Sequence, residues 1–146
     1  MVPNTSPTTE HLPESECWKL LRGSTLGRLA VVVDGAPDLF PVNYVVDHGS
    51  IVFRTAEGSK LLGSSNQRVA FEVDGLDDKD GPDVTVWSVV VKGIAAQIRE
   101  HYAAIDAMDL PITPWEGGFK PHFVRIDPTS VTGRRIHVVS EVSGQR

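Results

Sequence analysis

From residue 27 to residue 138 the chain is a succession of short β-branched runs cut by Gly, Pro and Asp, with little space left for helices. Residues 27–34 are apolar and β-branched, and Gly35-Ala36-Pro37 ends the run. Residues 39–47 follow, with Phe40, Val42, Tyr44 and Val46 alternating onto one face. His48-Gly49-Ser50 is short enough to be a tight turn, so residues 51–55 return as the second arm of a hairpin. Further strands are expected at 69–74, at 85–99 with a bend at Gly93, at 122–126 and at 130–138. Helical signals are confined to 13–22, to a short helix or turn at 57–65, and to 100–108. In the first of these, Pro13 opens the helix, Glu14 and Glu16 sit at its positive end, and Gly23 stops it. Residues 77–83 read as a charged loop and 110–121 as irregular chain. Such a pattern has too many strands for a bundle and too few helices for a doubly wound sheet. An antiparallel barrel of six to seven strands with short flanking helices removes the exposed edges and fits best.

Size and composition narrow the class. A chain of 146 residues has room for one ordinary core, and 40% hydrophobic with 23% charged residues is a globular balance. No apolar run approaches the ~20 residues of a membrane helix. Residues 1–11 are polar and read as a disordered lead-in, the domain as 12–138, and residues 139–146 as a flexible tail. Cys17, the single cysteine, cannot form an internal disulfide, and its place on the apolar face of the first helix marks it for packing. A cytoplasmic setting is expected. The net charge of −5 argues against a nucleic-acid partner. Local basic spots at Arg54, Lys60 and Arg68, and at Arg134 and Arg135, suit a small anion better than a polymer.

Three stretches carry chemical signal. Phe53-Arg54-Thr55-Ala56-Glu57-Gly58-Ser59-Lys60-Leu61 ends a strand, turns, and starts a helix, gathering two cations and two hydroxyls near a helix N-terminus. That set suits a phosphate monoester, although a solvated turn has the same composition. It lacks the glycine and the hydroxyl residue of a P-loop. In Phe40-Pro41-Val42-Asn43-Tyr44, Pro41 interrupts strand pairing beside Asn43, leaving amide groups for a planar heterocycle. In Thr85-Val86-Trp87-Ser88, the Trp and Ser point to opposite faces, and the Trp reads more readily as packing than as a ligand contact.

Taken in order, six segments resemble the pyridoxamine 5′-phosphate oxidase-like family of flavin-binding split barrels, its short members above all. They are Gly27-Arg28-Leu29-Ala30, Pro41-Val42-Asn43-Tyr44, Phe53-Arg54-Thr55 with Ser59-Lys60-Leu61, Phe71-Glu72-Val73-Asp74, Trp87 through Gly93, and Pro121 through Ile126. The resemblance implies a split β-barrel homodimer with one flavin mononucleotide (FMN) in each of two clefts between subunits. It places Arg54, Thr55, Ser59 and Lys60 at the phosphate, with Leu61 among the cofactor-binding residues. Val42 and Asn43 would lie against the isoalloxazine ring, and Trp87 and Ser88 would approach it from the partner. The chain lacks the C-terminal arginine pattern of pyridoxamine phosphate oxidases proper, which leaves the substrate open.

No catalytic acid or base stands out, and a flavin enzyme does not need a strong one. Glu72 reads as a solvated or interface residue, and His122 as a surface residue beside a Gly- and Pro-rich loop. The histidines at 11, 48, 101, 122 and 137 show no metal-ligand spacing. The leading expectation is a small FMN-dependent oxidoreductase. Its substrate would be flat, carbonyl- or nitro-bearing, and held against Trp87, Trp115 and Phe119. The alternatives are a non-catalytic flavin carrier, store or redox sensor, or a relative holding a deazaflavin or a haem. Val31-Val32-Val33 and Val89-Val90-Val91 offer apolar side chains to both sheet faces. Light scattering at micromolar concentration is therefore expected to give a dimer, and a monomer there would overturn that expectation.

Overall fold

The computed structural model describes residues 8–55, 66–77, 84–98 and 122–138. Among them lie β1 (Thr8–Leu12), α1 (Glu14–Arg22), β2 (Leu26–Val33), β3 (Ala36–Asp47), β4 (Ser50–Thr55), β5 (Gln67–Asp77), β6 (Val84–Gln97) and β7 (His122–Val138). All strand pairs are antiparallel, in the order β1-β7-β4-β3-β2-β5-β6, and a further β7–β6 pairing closes six of the seven into a ring. This is the mainly β split barrel the strand pattern implies.

Alternation puts one face of each strand inside. Leu29, Val31, Tyr44, Phe53, Phe71, Val89, Val91, Val124 and Ile126 form the core, and Phe40, Val42 and Val46 pack against it as the spacing in β3 requires. Both valine triplets follow the same rule: Val31, Val89 and Val91 are buried, while Val32 points out and is 54% exposed. The β2–β3 and β3–β4 turns carry positive φ at Asp34-Gly35 and at His48-Gly49. Two consecutive left-handed residues match the twist of a hairpin.

Helix α1 closes one end. Cys17 and Leu21 are fully buried beneath it. The hydroxyl of Tyr44, on β3, donates to the Leu21 carbonyl at 2.6 Å and so satisfies one of the orphan acceptors at the helix end. The Tyr44 ring meets Phe71 edge-on, with centroids 4.9 Å apart and planes at 75°. Burial raises the Tyr44 hydroxyl well above its usual pKa, so it stays a donor at all working pH values.

Three expectations are corrected. The polar lead-in is ordered from Thr8, because Thr8–Leu12 pairs with His137 through Gly133 of β7. Arg135 and His137 lie across from the Glu10 carboxylate there, at 3.9 and 3.7 Å. Residues 122–126 and 130–138 are one strand, since Pro128 falls at an irregularity that needs no ladder donor from it. The strand expected at 39–47 begins earlier, at Ala36, which pairs with Val33. The expected helices at 57–65 and 100–108, residues 110–121 and the tail lie outside the described residues.

Gly27, on β2, faces the ring of Phe71, and a Cβ there would overlap that ring. Phe71 is fully buried and has nowhere to move. Gly27→Ala is therefore expected to cost about 1–3 kcal/mol by overpacking. Urea unfolding should show a lower midpoint at unchanged slope.

Candidate functional site

The β3–β4 hairpin carries the candidate site at one end and a polar clamp at the other. At the turn, Arg125 of β7 donates to the Asp47 carboxylate at 3.0 Å, to the Asp47 carbonyl at 3.3 Å, and to the Ser50 hydroxyl. Ser50 in turn donates to the Asp47 carbonyl at 2.6 Å, and His48 sits 3.0 Å from the second carboxylate oxygen. Burial tends to raise the Asp47 carboxyl, but the Arg125 and His48 contacts outweigh it and hold it below the usual carboxylate range.

From that clamp the β3–β4 ladder runs through Val46–Ile51 and Val45–Val52 and stops at Tyr44–Phe53. Asn43 and Arg54 are the first residues past the last rung, so the strands part where Pro41 predicts a break. Asn43 keeps its place against Leu26 on the other edge of β3. Its side-chain oxygen is buried and, among the described residues, has no hydrogen-bond partner. A buried amide oxygen without a donor costs about 1–3 kcal/mol, and such a group is normally completed by something.

Across the end of the ladder, the Arg54 guanidinium lies over the Phe123 ring, 4.9 Å from its centre. Thr55 stands opposite His122 in the β4–β7 ladder. Nδ1 of His122 and the side-chain amide of Gln97 are 2.6 Å apart, with the amide NH2 as donor. Val52 and Phe123 form a small buried apolar cluster with Val45 and Ile98, apart from the main core.

Of the residues singled out in the sequence, Asn43, Arg54 and Thr55 sit just past the end of the β3–β4 pairing. Val42 is their neighbour, but its side chain packs toward the core. Ser59, Lys60 and Leu61 lie outside the described residues, as do Trp115 and Phe119. Trp87 is 7% exposed and lies over Gly75, where even a Cβ would overlap its indole. Its ring belongs to the main core cluster, as the packing reading has it. Ser88 is half-buried on the opposite face, between Asp74 and Arg134. Glu72 is not simply solvated: Arg28 donates to it at 2.8 Å through Nε and again through Nη2, and bonds Asp74 at 2.8 Å. Burial and the Asp74 carboxyl raise Glu72 against the pull of Arg28. Phe123, Val52 and Gln97 escape a reading of the sequence, because only the β4–β7 and β6–β7 registers bring them to Arg54 and His122. Among the described residues no group of His, Cys, Asp and Glu could hold a metal, and no helix is long and apolar enough to cross a membrane.

Comparison with known proteins settles the lineage. A family model described as pyridoxamine 5′-phosphate oxidase matches residues 13–135, from the start of the first helix to near the end of β7. The chain belongs to the pyridoxamine 5′-phosphate oxidase family. A crystal structure of a Corynebacterium glutamicum protein named for that oxidase is 40% identical, covers 88% of this chain and 98% of its own, and superposes with a TM-score of 0.77. A Mycobacterium smegmatis structure named as an FAD binding protein is 38% identical over 87% of this chain and 98% of its own, with a TM-score of 0.70. An uncharacterized Mycobacterium tuberculosis protein is 31% identical over 140 residues, covering 92% of this chain and 90% of its own. Within this pyridoxamine 5′-phosphate oxidase fold, the end of the β3–β4 ladder at Asn43 is where, among the described residues, a buried side-chain acceptor is left without a partner.

The clamp generates a pH prediction. Asp47 is lowered on folding, so its contribution is fully present above the usual carboxylate range and is lost as the pH falls through its depressed value. Asp47→Asn should cost about 1 kcal/mol at pH 7. The gap between variant and wild type in denaturant unfolding should close at the acid end.

Proposed function

We propose that this chain binds FMN along the opening between β3 and β4 and works as a homodimeric oxidoreductase on a small molecule. The observation that carries the reading is the buried, unpartnered oxygen of Asn43 beside Arg54. An oxidised isoalloxazine has a single ring N–H, the donor that such an acceptor calls for. Arg54, over the Phe123 ring, carries a guanidinium of the kind that forks onto a phosphate, and Thr55 follows it with a hydroxyl. Ser59 and Lys60 come next in the chain and complete a set suited to a terminal phosphate. The M. smegmatis relative is named as an FAD binding protein, which supports a flavin as the ligand.

The bound flavin would supply hydride and one-electron transfer. The chain's own residues bind and orient. Asn43 accepts from the ring edge, Arg54 and Lys60 hold the phosphate, and Val45, Val52, Phe123 and Ile98 back the site with apolar wall. Ser88, on the outward face of β6, is placed to be lent to a partner subunit. With Trp87 withdrawn into its own core, recognition of the substrate falls more heavily on the second subunit and on the segment after β6.

The visible spectrum of the purified protein tests the cofactor, and mass spectrometry of the released ligand separates FMN from FAD. Lys60→Ala is expected to weaken FMN binding about tenfold or more while leaving riboflavin unchanged, because the two differ only in the phosphate. Equal weakening of both would assign Lys60 to the fold. Reoxidation of the reduced protein by quinones or nitro compounds faster than by oxygen would mark an enzyme rather than a carrier.

A further inference from the structure

A second cavity opens through the barrel wall on other strands. The β2–β5 ladder runs only from Arg28–Glu72 to Ala30–Ala70. Beyond that rung the strands part, and the Gln67 side-chain amide crosses the gap to donate to the Val32 carbonyl at 2.6 Å, in place of a backbone rung. The gap is a cavity of about 620 Å³ that reaches from exposed Val32 to the core residues Val31 and Val69. That volume is in the range of small-molecule sites. Its floor leaves room because Ala30 and Ala70 are small, and both lie in register with Lys92 across three strands.

The charge at this cavity is opposite to that of the whole chain. Arg68 and Lys92 both line it and both are exposed. Among the described residues neither has an ion pair or a side-chain hydrogen-bond partner, whereas Arg28, Arg125 and Arg135 are all paired with carboxylates. Two unpaired cations beside an apolar chamber, on a chain of net charge −5, are complementary to an anion with an apolar body. A second copy docking the same patch about a two-fold axis would instead set cations against cations.

We propose that the gap between β2 and β5 is a binding site for an amphipathic carboxylate, with its apolar body between Val32 and Ile94 and its carboxylate at Arg68 and Lys92. It lies on β2, β5 and β6, away from Asn43 and Arg54, and does not depend on the flavin reading. The test is isothermal titration of the full chain with 2-naphthoate and with neutral 2-naphthalenemethanol, each with and without saturating FMN. Expected are one naphthoate per chain, binding at least tenfold weaker for the alcohol, and no displacement by FMN. Arg68→Gln with Lys92→Gln should weaken naphthoate tenfold or more while the alcohol is unaffected, and Ala70→Leu should abolish both. Circular dichroism and FMN titration of each variant check that the barrel is intact. No binding at millimolar naphthoate, equal binding of acid and alcohol, or competition with FMN would overturn the proposal. So would a shift in the sedimentation of the Arg68/Lys92 variant without loss of naphthoate, which would hand the patch to a second copy.

Discussion

At Gly93 the backbones of β6 and β7 come so close that a Cβ would overlap the Asp127 carbonyl. Only glycine permits that approach. Here the register shifts: Lys92 pairs with Ser130 and Gly93 with Pro128, leaving Thr129 as the extra residue. Thr129 turns its hydroxyl to the Lys92 carbonyl at 3.1 Å, and Pro128 has no N–H to waste. The irregularity divides β7 in two. Its first part, at residues 122–126, pairs with β4 and closes the ring; its second, at residues 133–137, pairs with β1.

The closure determines where chemistry can sit. Once β7 has joined β4, Phe123 is carried under Arg54 and Arg125 under the Asp47 turn. The hairpin is then held at its far end by ion pairing and at its near end by Tyr44, whose ring and hydroxyl tie it to Phe71 and helix α1. Asn43 is the next residue along. Among the described residues its side-chain oxygen is the buried acceptor left unpaired.

Much of this architecture is legible in the residues. The alternation Phe40, Val42, Tyr44, Val46 identifies the inward face of β3, and His48-Gly49 the turn after it, because both signals are local. Helix α1 is equally plain from Pro13, Cys17, Leu21 and Gly23. Strand β1 is not, since Thr8, Thr9, Glu10 and His11 are all exposed and are held by a ladder and by Arg135, at the other end of the chain. Pro128 misleads in the opposite sense, for a proline at a bulge looks in sequence like a proline that ends a strand. At the site, Asn43, Arg54 and Thr55 stand out by type and spacing. The ring beneath Arg54 and the amide on His122 depend on registers between distant strands, which no local pattern encodes.

The pairing of Thr8 with His137 has a consequence for how the protein is made. A ribosome releases the amino end first, so β1 emerges long before the only edge it can occupy. The ring, too, waits for β7, because β4 and β6 have no closing neighbour until it arrives. Folding of the barrel thus waits on β7, with a high contact order and a slow search expected of it. During that interval β1 has a polar face on both sides, Thr8 and Glu10 on one and Thr9 and His11 on the other. The same composition that hides this strand from a reader of the sequence keeps it from pairing with a stranger while it waits.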